Sequence, residues 1–286
     1  MLVIVGFAIV ACAVIGGFLM EGGKLMVLFQ PAEFLIIGGA ATGSILVASP
    51  PRVVKMMIAQ IKGTLGTAAG KDTYTKLLVM LYEIFQAARK DGLVAMEAHI
   101  ENPPESRVLS KYPEFLADKP LLDFFVDTMR LILSGGVPSH DLEELIDIDL
   151  ETHHHETEKP VTGLRTVADA LPGLGIVAAV LGVVLTMGSI GGPPEEIGHK
   201  VGAALVGTFL GVLLSYGFVG PLASNMGHVN DEKAQAYKLI KQALLGFHKG
   251  MAPSIAVEFA RRSLNSDSRP GFLELEEACK ATRDKS

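Results

Sequence analysis

Ala170-Leu171-Pro172-Gly173-Leu174-Gly175-Ile176-Val177-Ala178-Ala179-Val180-Leu181-Gly182-Val183-Val184-Leu185-Thr186-Met187-Gly188 opens a run that reaches Pro194 without a single Asp, Glu, Lys, Arg or His. After Glu195, Glu196, His199 and Lys200, a second uncharged run extends from Val201 to Pro221. An apolar stretch of about 20 residues, wound as a helix, crosses a hydrocarbon core of roughly 30 Å. In lipid it must also satisfy its own backbone, so the two runs predict a transmembrane helical hairpin. Gly175, Ala178, Ala179 and Gly182 recur at helical spacing on one helix, and Gly202, Gly207 and Gly211 mark the other. Small residues let membrane helices approach closely, so these faces are expected to meet protein rather than lipid.

The pattern repeats at the N-terminus. Met1 to Met20 is apolar and uncharged, with no basic residue ahead of it, which argues for a retained first span rather than a cleaved signal peptide. Glu21-Gly22-Gly23-Lys24 makes a turn, and Phe34 to Ser49, preceded by the apolar group Leu25 to Phe29, supplies a weaker second span. Gly38, Gly39, Gly43 and Ser44 predict a second small-residue packing face, and Pro50-Pro51 ends the helix. Glu33 borders the loop and is expected at the outer interface. The fold class is therefore an all-α integral membrane protein with four transmembrane helices and a large helical insertion between the second and third.

Charge placement sets the orientation. Of the 25 Lys and Arg in 286 residues, 13 lie between residues 50 and 165 and 10 follow Pro221, leaving only Lys24 and Lys200 in the short intervals. Basic residues near membrane ends mark the cytoplasmic side, so both termini and the insertion face the cytoplasm. Four regions follow: spans one and two in 1–50, a cytoplasmic helical domain in 51–166, spans three and four in 167–223, and cytoplasmic helices and tail in 224–286. A net charge of −6 suggests no nucleic-acid surface. Cys12 and Cys279 form no disulfide or metal framework, in keeping with a reducing cytosol.

Within the insertion, Leu77, Leu78, Met80, Leu81, Ile84, Phe85 and Ala88 predict a helix over 75–90 that breaks at Asp91-Gly92. Helices are also expected over 93–100, 121–133 and from Ser139 or Asp141 through Leu150. His153-His154-His155 projects to different sides of any helix, makes a poor ligand set, and is expected to be a solvated linker. Beyond the fourth span, 231–247 is an amphipathic continuation, 263–270 a loop and 272–283 a short acidic helix.

No nucleophile, paired carboxylates or phosphate-cradling loop appears; Gly173-x-Gly175 lacks a preceding strand. No catalytic residue, cofactor or metal is expected, and the chain is not expected to be an enzyme. The four spans also carry no central ionisable group, which a proton-coupled device normally needs. Thr42, Thr186, Ser189, Thr208, Ser215 and Tyr216 are the intramembrane hydroxyls. If the protein moves ions, a second subunit must supply the carboxylate. Pro172 and Pro221 lie near the cytoplasmic ends of spans three and four. Each acts either as a hinge beside an ion path or as a plain helix start and stop.

The segments Pro172 to Val184 and Val206 to Pro221 resemble the last two spans of the MotA family of flagellar stator subunits, within the MotA/TolQ/ExbB proton-channel superfamily. Leu28-Phe-Gln-Pro-Ala-Glu-Phe34, Ile100-Glu-Asn-Pro103, Asp123-Phe124 and Ala256-Val-Glu-Phe-Ala260 match further family landmarks. The resemblance implies a homopentameric ring around two MotB-type chains in the bacterial inner membrane. Each MotB-type chain would contribute one transmembrane Asp, and ion flow would drive torque on the rotor switch-complex protein FliG for motility and chemotaxis. It places rotor interaction on Arg89 and Glu97, and ion flow with conformational coupling on Pro172 and Pro221. Sodium-driven relatives carry Thr where Ala179 stands, whereas Thr208 occurs in both classes, so proton coupling is expected. The alternatives are an ExbB/TolQ-type energiser, which has one span before its insertion where this chain has two, and a self-sufficient channel, which would need a charged or filter-like group in the membrane.

Overall fold

The computed structural model describes residues 2–66, 70–188 and 191–283, and among these the chain is helical with no strand. In chain order the helices are α1 (Leu2–Met20), α2 (Leu25–Leu28), α3 (Pro31–Ala48), α4 (Pro51–Thr64), α5 (Lys71–Asp91) and α6 (Leu93–Glu101). They continue with α7 (Pro113–Ala117), α8 (Lys119–Ser134), α9 (Ser139–Met187), α10 (Pro194–Leu213), α11 (Gly220–His248), α12 (Pro253–Arg262) and α13 (Phe272–Arg283). A π-helical stretch, Leu214–Val219, joins α10 to α11. By length and composition four segments among the described residues are able to cross a membrane: Leu2–Met20, Leu25–Ala48, Ser139–Met187 and Pro194–His248.

The chain forms two compact units, one of residues 1–67 with 155–230 and one of 68–154 with 231–286. In the first, Ile37 and Ala41 of α3 pack with Val167, Leu171 and Ala178 of α9 and with Val206 and Leu210 of α10. A second cluster joins Met57 of α4 to Val161 and Leu164 of α9 and to Ala223 and Met226 of α11. A polar seam borders it: the Thr157 carbonyl accepts from Gln60 Nε2 (3.1 Å) and Asn230 Nδ2 (3.0 Å), and Arg52 pairs with Glu156 at 2.9 Å. α1 is apolar all round and buries none of its side chains, as a lipid-facing span does.

The second unit has a core of large side chains. Tyr74, Leu78, Met80, Leu81, Ile84 and Phe85 of α5 are buried against Phe125 and Met129 of α8 and Leu239, Ile240 and Leu244 of α11. Phe85 stacks on Phe247 with centroids 4.6 Å apart. α5 ends at Gly92, whose φ of +86° is open to glycine but strained for other residues. Asp118 Oδ1 caps α8 by accepting from the Leu121 amide. In α12, Glu258 accepts from both Arg261 (2.7 Å) and Arg262 (2.7 Å), and Arg261 Nη1 also donates to the Pro270 carbonyl, closing the 263–270 loop. The two guanidinium groups, Arg261 first, hold the Glu258 carboxyl down at about 2.

Two expectations need correction here. His153-His154-His155 is helical and not a solvated loop: it lies inside the 49-residue α9 at the boundary of the two units, and the His153 ring sits 4.6 Å from that of Tyr237. Pro172 does not start a helix: it lies inside α9, as Pro160 does. Within this chain Gly38, Gly39, Gly43 and Ser44 are exposed, and a Cβ on any of the three glycines would touch nothing within 4 Å, while α3 buries Glu33, Ile37 and Ala41. Residues 51–66 and 155–166, expected with the insertion, belong to the first compact unit. Ser189 lies outside the described residues.

Candidate functional site

Spans three and four cross through glycine. A Cβ placed on Gly175 would lie 2.7 Å from the Gly207 carbonyl and 3.0 Å from the Gly211 Cα. One on Gly211 would lie 2.6 Å from the Leu171 carbonyl, and one on Gly182 would lie 2.6 Å from the Ala204 Cβ. No side chain fits at such distances, so the backbones of α9 and α10 are in contact over several turns. Apolar side chains gain nothing by leaving lipid, and dispersion between closely approaching backbones is what holds such a pair. Gly202, expected on the same face, has open space around its Cα and takes no part.

The crossing fixes two levels. Gly207 lies against Ala178 and the Ala179 amide, which sets Thr208 and Ala179, both half-buried, at one height. Gly220 lies against Ala168, one turn before Pro172, so Pro172 and Pro221 occupy neighbouring turns of packed helices. Seven residues, about 10 Å of helix, separate Pro172 from Ala179. Pro172 is half-buried and Pro221 exposed.

The two prolines are accommodated differently. Pro172 sits within unbroken α-helix. Pro221 follows the π stretch, in which the Gly220 amide donates to the Ser215 carbonyl five residues back. A wide turn ahead of the proline relieves the clash between its ring and the carbonyl four residues earlier. Sequence reading missed the π stretch because nothing in Leu214 to Val219 departs from an ordinary apolar helix.

Glu33, expected at the outer interface beside the loop, is buried against α10. It is 6% exposed in the first turn of α3, and its Oε2 would lie 2.6 Å from a Cβ on Gly207. Oε2 has no hydrogen-bond partner. The first compact unit therefore holds an ionisable group at the height of Ala179 and Thr208. Thr186 is buried with its hydroxyl donated to the Gly182 carbonyl at 2.8 Å, and Thr42 likewise bonds the Gly38 carbonyl. Both hydroxyl protons are turned back onto their own helices.

In the second unit Arg89, in the last turn of α5, and Glu97, in α6, are both exposed, on either side of Gly92. Lys90 is exposed beside Arg89, while Asp91 pairs with Arg107. Arg89, Lys90, Arg107 and Lys111 rim one hollow with Glu83. Lys111 and the Tyr112 hydroxyl both bond Glu83 at 3.0 Å, so that carboxylate is engaged within the fold.

These features define a helical protein with four candidate membrane spans, a glycine-mediated crossing and a separate charged helical unit. Residues 4–92 match the family described as Motility protein A N-terminal, and residues 116–238 match the MotA/TolQ/ExbB proton channel family. The chain is 42% identical over 285 residues to Motility protein A of Salmonella typhimurium, covering 99% of this chain and 97% of the relative. It is likewise 42% identical over 291 residues to that of Escherichia coli, with 99% and 97% covered. The fold is similar to a chain in the structure of C. jejuni MotAB (TM-score 0.76, 19% identity, covering 93% of this chain and 96% of that one). It is also similar to one in the flagellar MotAB stator complex from Bacillus subtilis (TM-score 0.70, 22% identity, covering 89% and 92%). The chain belongs to the MotA/TolQ/ExbB proton channel family, among the motility protein A sequences.

Proposed function

We propose that this chain is the ring-forming subunit of a flagellar stator. Five copies surround two MotB-type chains in the bacterial inner membrane, and proton flow through the assembly generates torque on FliG. The observation that carries the reading is the end-to-end correspondence with motility protein A at 42% identity. The match of residues 4–92 to the N-terminal motility family favours it over a TolQ/ExbB-type energiser. The glycine crossing suits the role, since it builds a stiff two-helix wall and leaves Ala179 and Thr208 together at one height. Alanine at 179 offers no oxygen to a sodium ion, which supports proton coupling. Exposed Arg89 and Glu97, on neighbouring helices around Gly92, suit contact with a charged rotor helix, where such groups set encounter and register. The distribution of Lys and Arg supports cytoplasmic termini.

The test is co-purification with a single-span, Asp-bearing neighbour, imaging of the ring, and restoration of swimming to a stator-less strain. Arg89→Glu is expected to suppress swimming without loss of the ring, and a charge reversal on the rotor is expected to return part of it. A chain that conducts protons in liposomes without any partner would refute the reading.

A further inference from the structure

Glu33 is an unusual resident of a membrane span. The residue is 6% exposed, one carboxylate oxygen has no partner, and no ion pair reaches it among the described residues. Its surroundings are Gly207 of α10 and, across that glycine, the Ala178 side chain and Ala179 amide of α9. The nearest elements offer no compensating charge. α2 has no ionisable side chain, Lys24 precedes it, and α9 carries none from Ala170 to Met187. On α10 the titratable groups are Glu195, Glu196, His199 and Lys200; Lys200 pairs with Glu196 at 2.8 Å and lies seven residues, about 10 Å of helix, from Gly207. Burying an ionised carboxylate without a partner is unfavourable, whereas the neutral acid is tolerated.

We propose that Glu33 is a proton-binding site supplied by this chain itself, loaded from the outer aqueous side and neutral whenever α3 is seated on Gly207. The O–H bond forms with a proton taken from that side, which the Glu21 to Gln30 loop adjoins. It breaks by transfer to water in the ion path at the height of Thr208, and the carboxylate left behind either takes up another proton or leaves the crossing. Gly207 is part of the device, since a methyl group there would occupy the place of Oε2. The destination of the proton rests on the stator reading; the presence of a protonated Glu33 does not.

The test uses the full complex, this chain with its Asp-bearing partner, in liposomes. Infrared spectroscopy is expected to show a protonated-carboxyl C=O band that shifts in D2O, persists when the partner's Asp is changed to Asn, and disappears in Glu33→Gln. Glu33→Gln keeps the shape of the neutral acid, so the ring is expected to assemble. Its swimming speed falls on the order of tenfold and loses its response to external pH, while Glu33→Asp regains part of both. Glu33→Gln swimming at wild-type speed with a wild-type pH response would overturn the proposal, as would a missing band in the wild-type complex. If the complex never drives rotation but the band is present and Glu33-dependent, the stator reading fails while the proton site stands.

Discussion

The two units of this chain are held together by opposite means. In the first, backbones meet: Gly175, Gly207 and Gly211 leave no room for a Cβ, and the cores are short rows of Ala, Val, Leu and Met. In the second, large side chains meet: Tyr74, Phe85, Phe125 and Met129 fill one continuous core. Around it run ion pairs such as Lys241–Asp147 at 2.6 Å and Lys71–Glu274 at 2.6 Å. The solvent explains the contrast. Water rewards burial of large apolar surface, and lipid does not, so a unit rich in candidate spans relies on closeness and the other on area.

The sharpest way to break this comparison is to add volume where backbones touch. Gly175→Val is expected to abolish swimming and prevent recovery of an assembled ring, because both Gly207 and Gly211 stand in the way; detergent extraction followed by size analysis checks it. Next in size is removal of volume from the second unit. Phe85→Ala is expected to cost about 3–5 kcal/mol, read from hydrogen exchange of α5 and α11 in the full chain.

A smaller, pH-dependent effect belongs to Glu258. Its folded pKa lies below the ordinary carboxylate value, so its contribution is present above about pH 4.5 and is lost as pH falls toward 2. Replacement by Gln is expected to cost on the order of 2 kcal/mol at neutral pH and to flatten the acid limb of a stability profile. Glu274, whose pKa is lowered by its bond from Lys71, adds little because both side chains are about half exposed. The smallest effect is expected from Gly202→Ala, which adds a methyl to open space; unchanged swimming and extraction behaviour would show that the crossing, not glycine content, is what matters.

Much of this architecture was legible in the sequence. Uncharged runs announced the four spans, and Gly92 and Gly135 mark helix ends that turn signals had suggested. Arg89 and Glu97 were expected on neighbouring helices, and both lie exposed, on α5 and α6. Hydropathy says how apolar a segment is and not which neighbour it faces. It therefore gave no sign that Glu33 would be buried, where the missing side chain of Gly207 gives its carboxyl a hollow to enter. Pro172 misled in the other direction, since one reading made it a plain helix start and it lies inside α9.

The π stretch carries a mechanical consequence. An α-helix advances 100° of azimuth per residue, and a wider turn inserts one residue without a matching advance. Every side chain after Val219 is thereby out of phase with those before Leu214. Should the wide turn slide along the rod like a dislocation in a crystal, the sectors on either side would rotate against each other while nearly every backbone bond stays made.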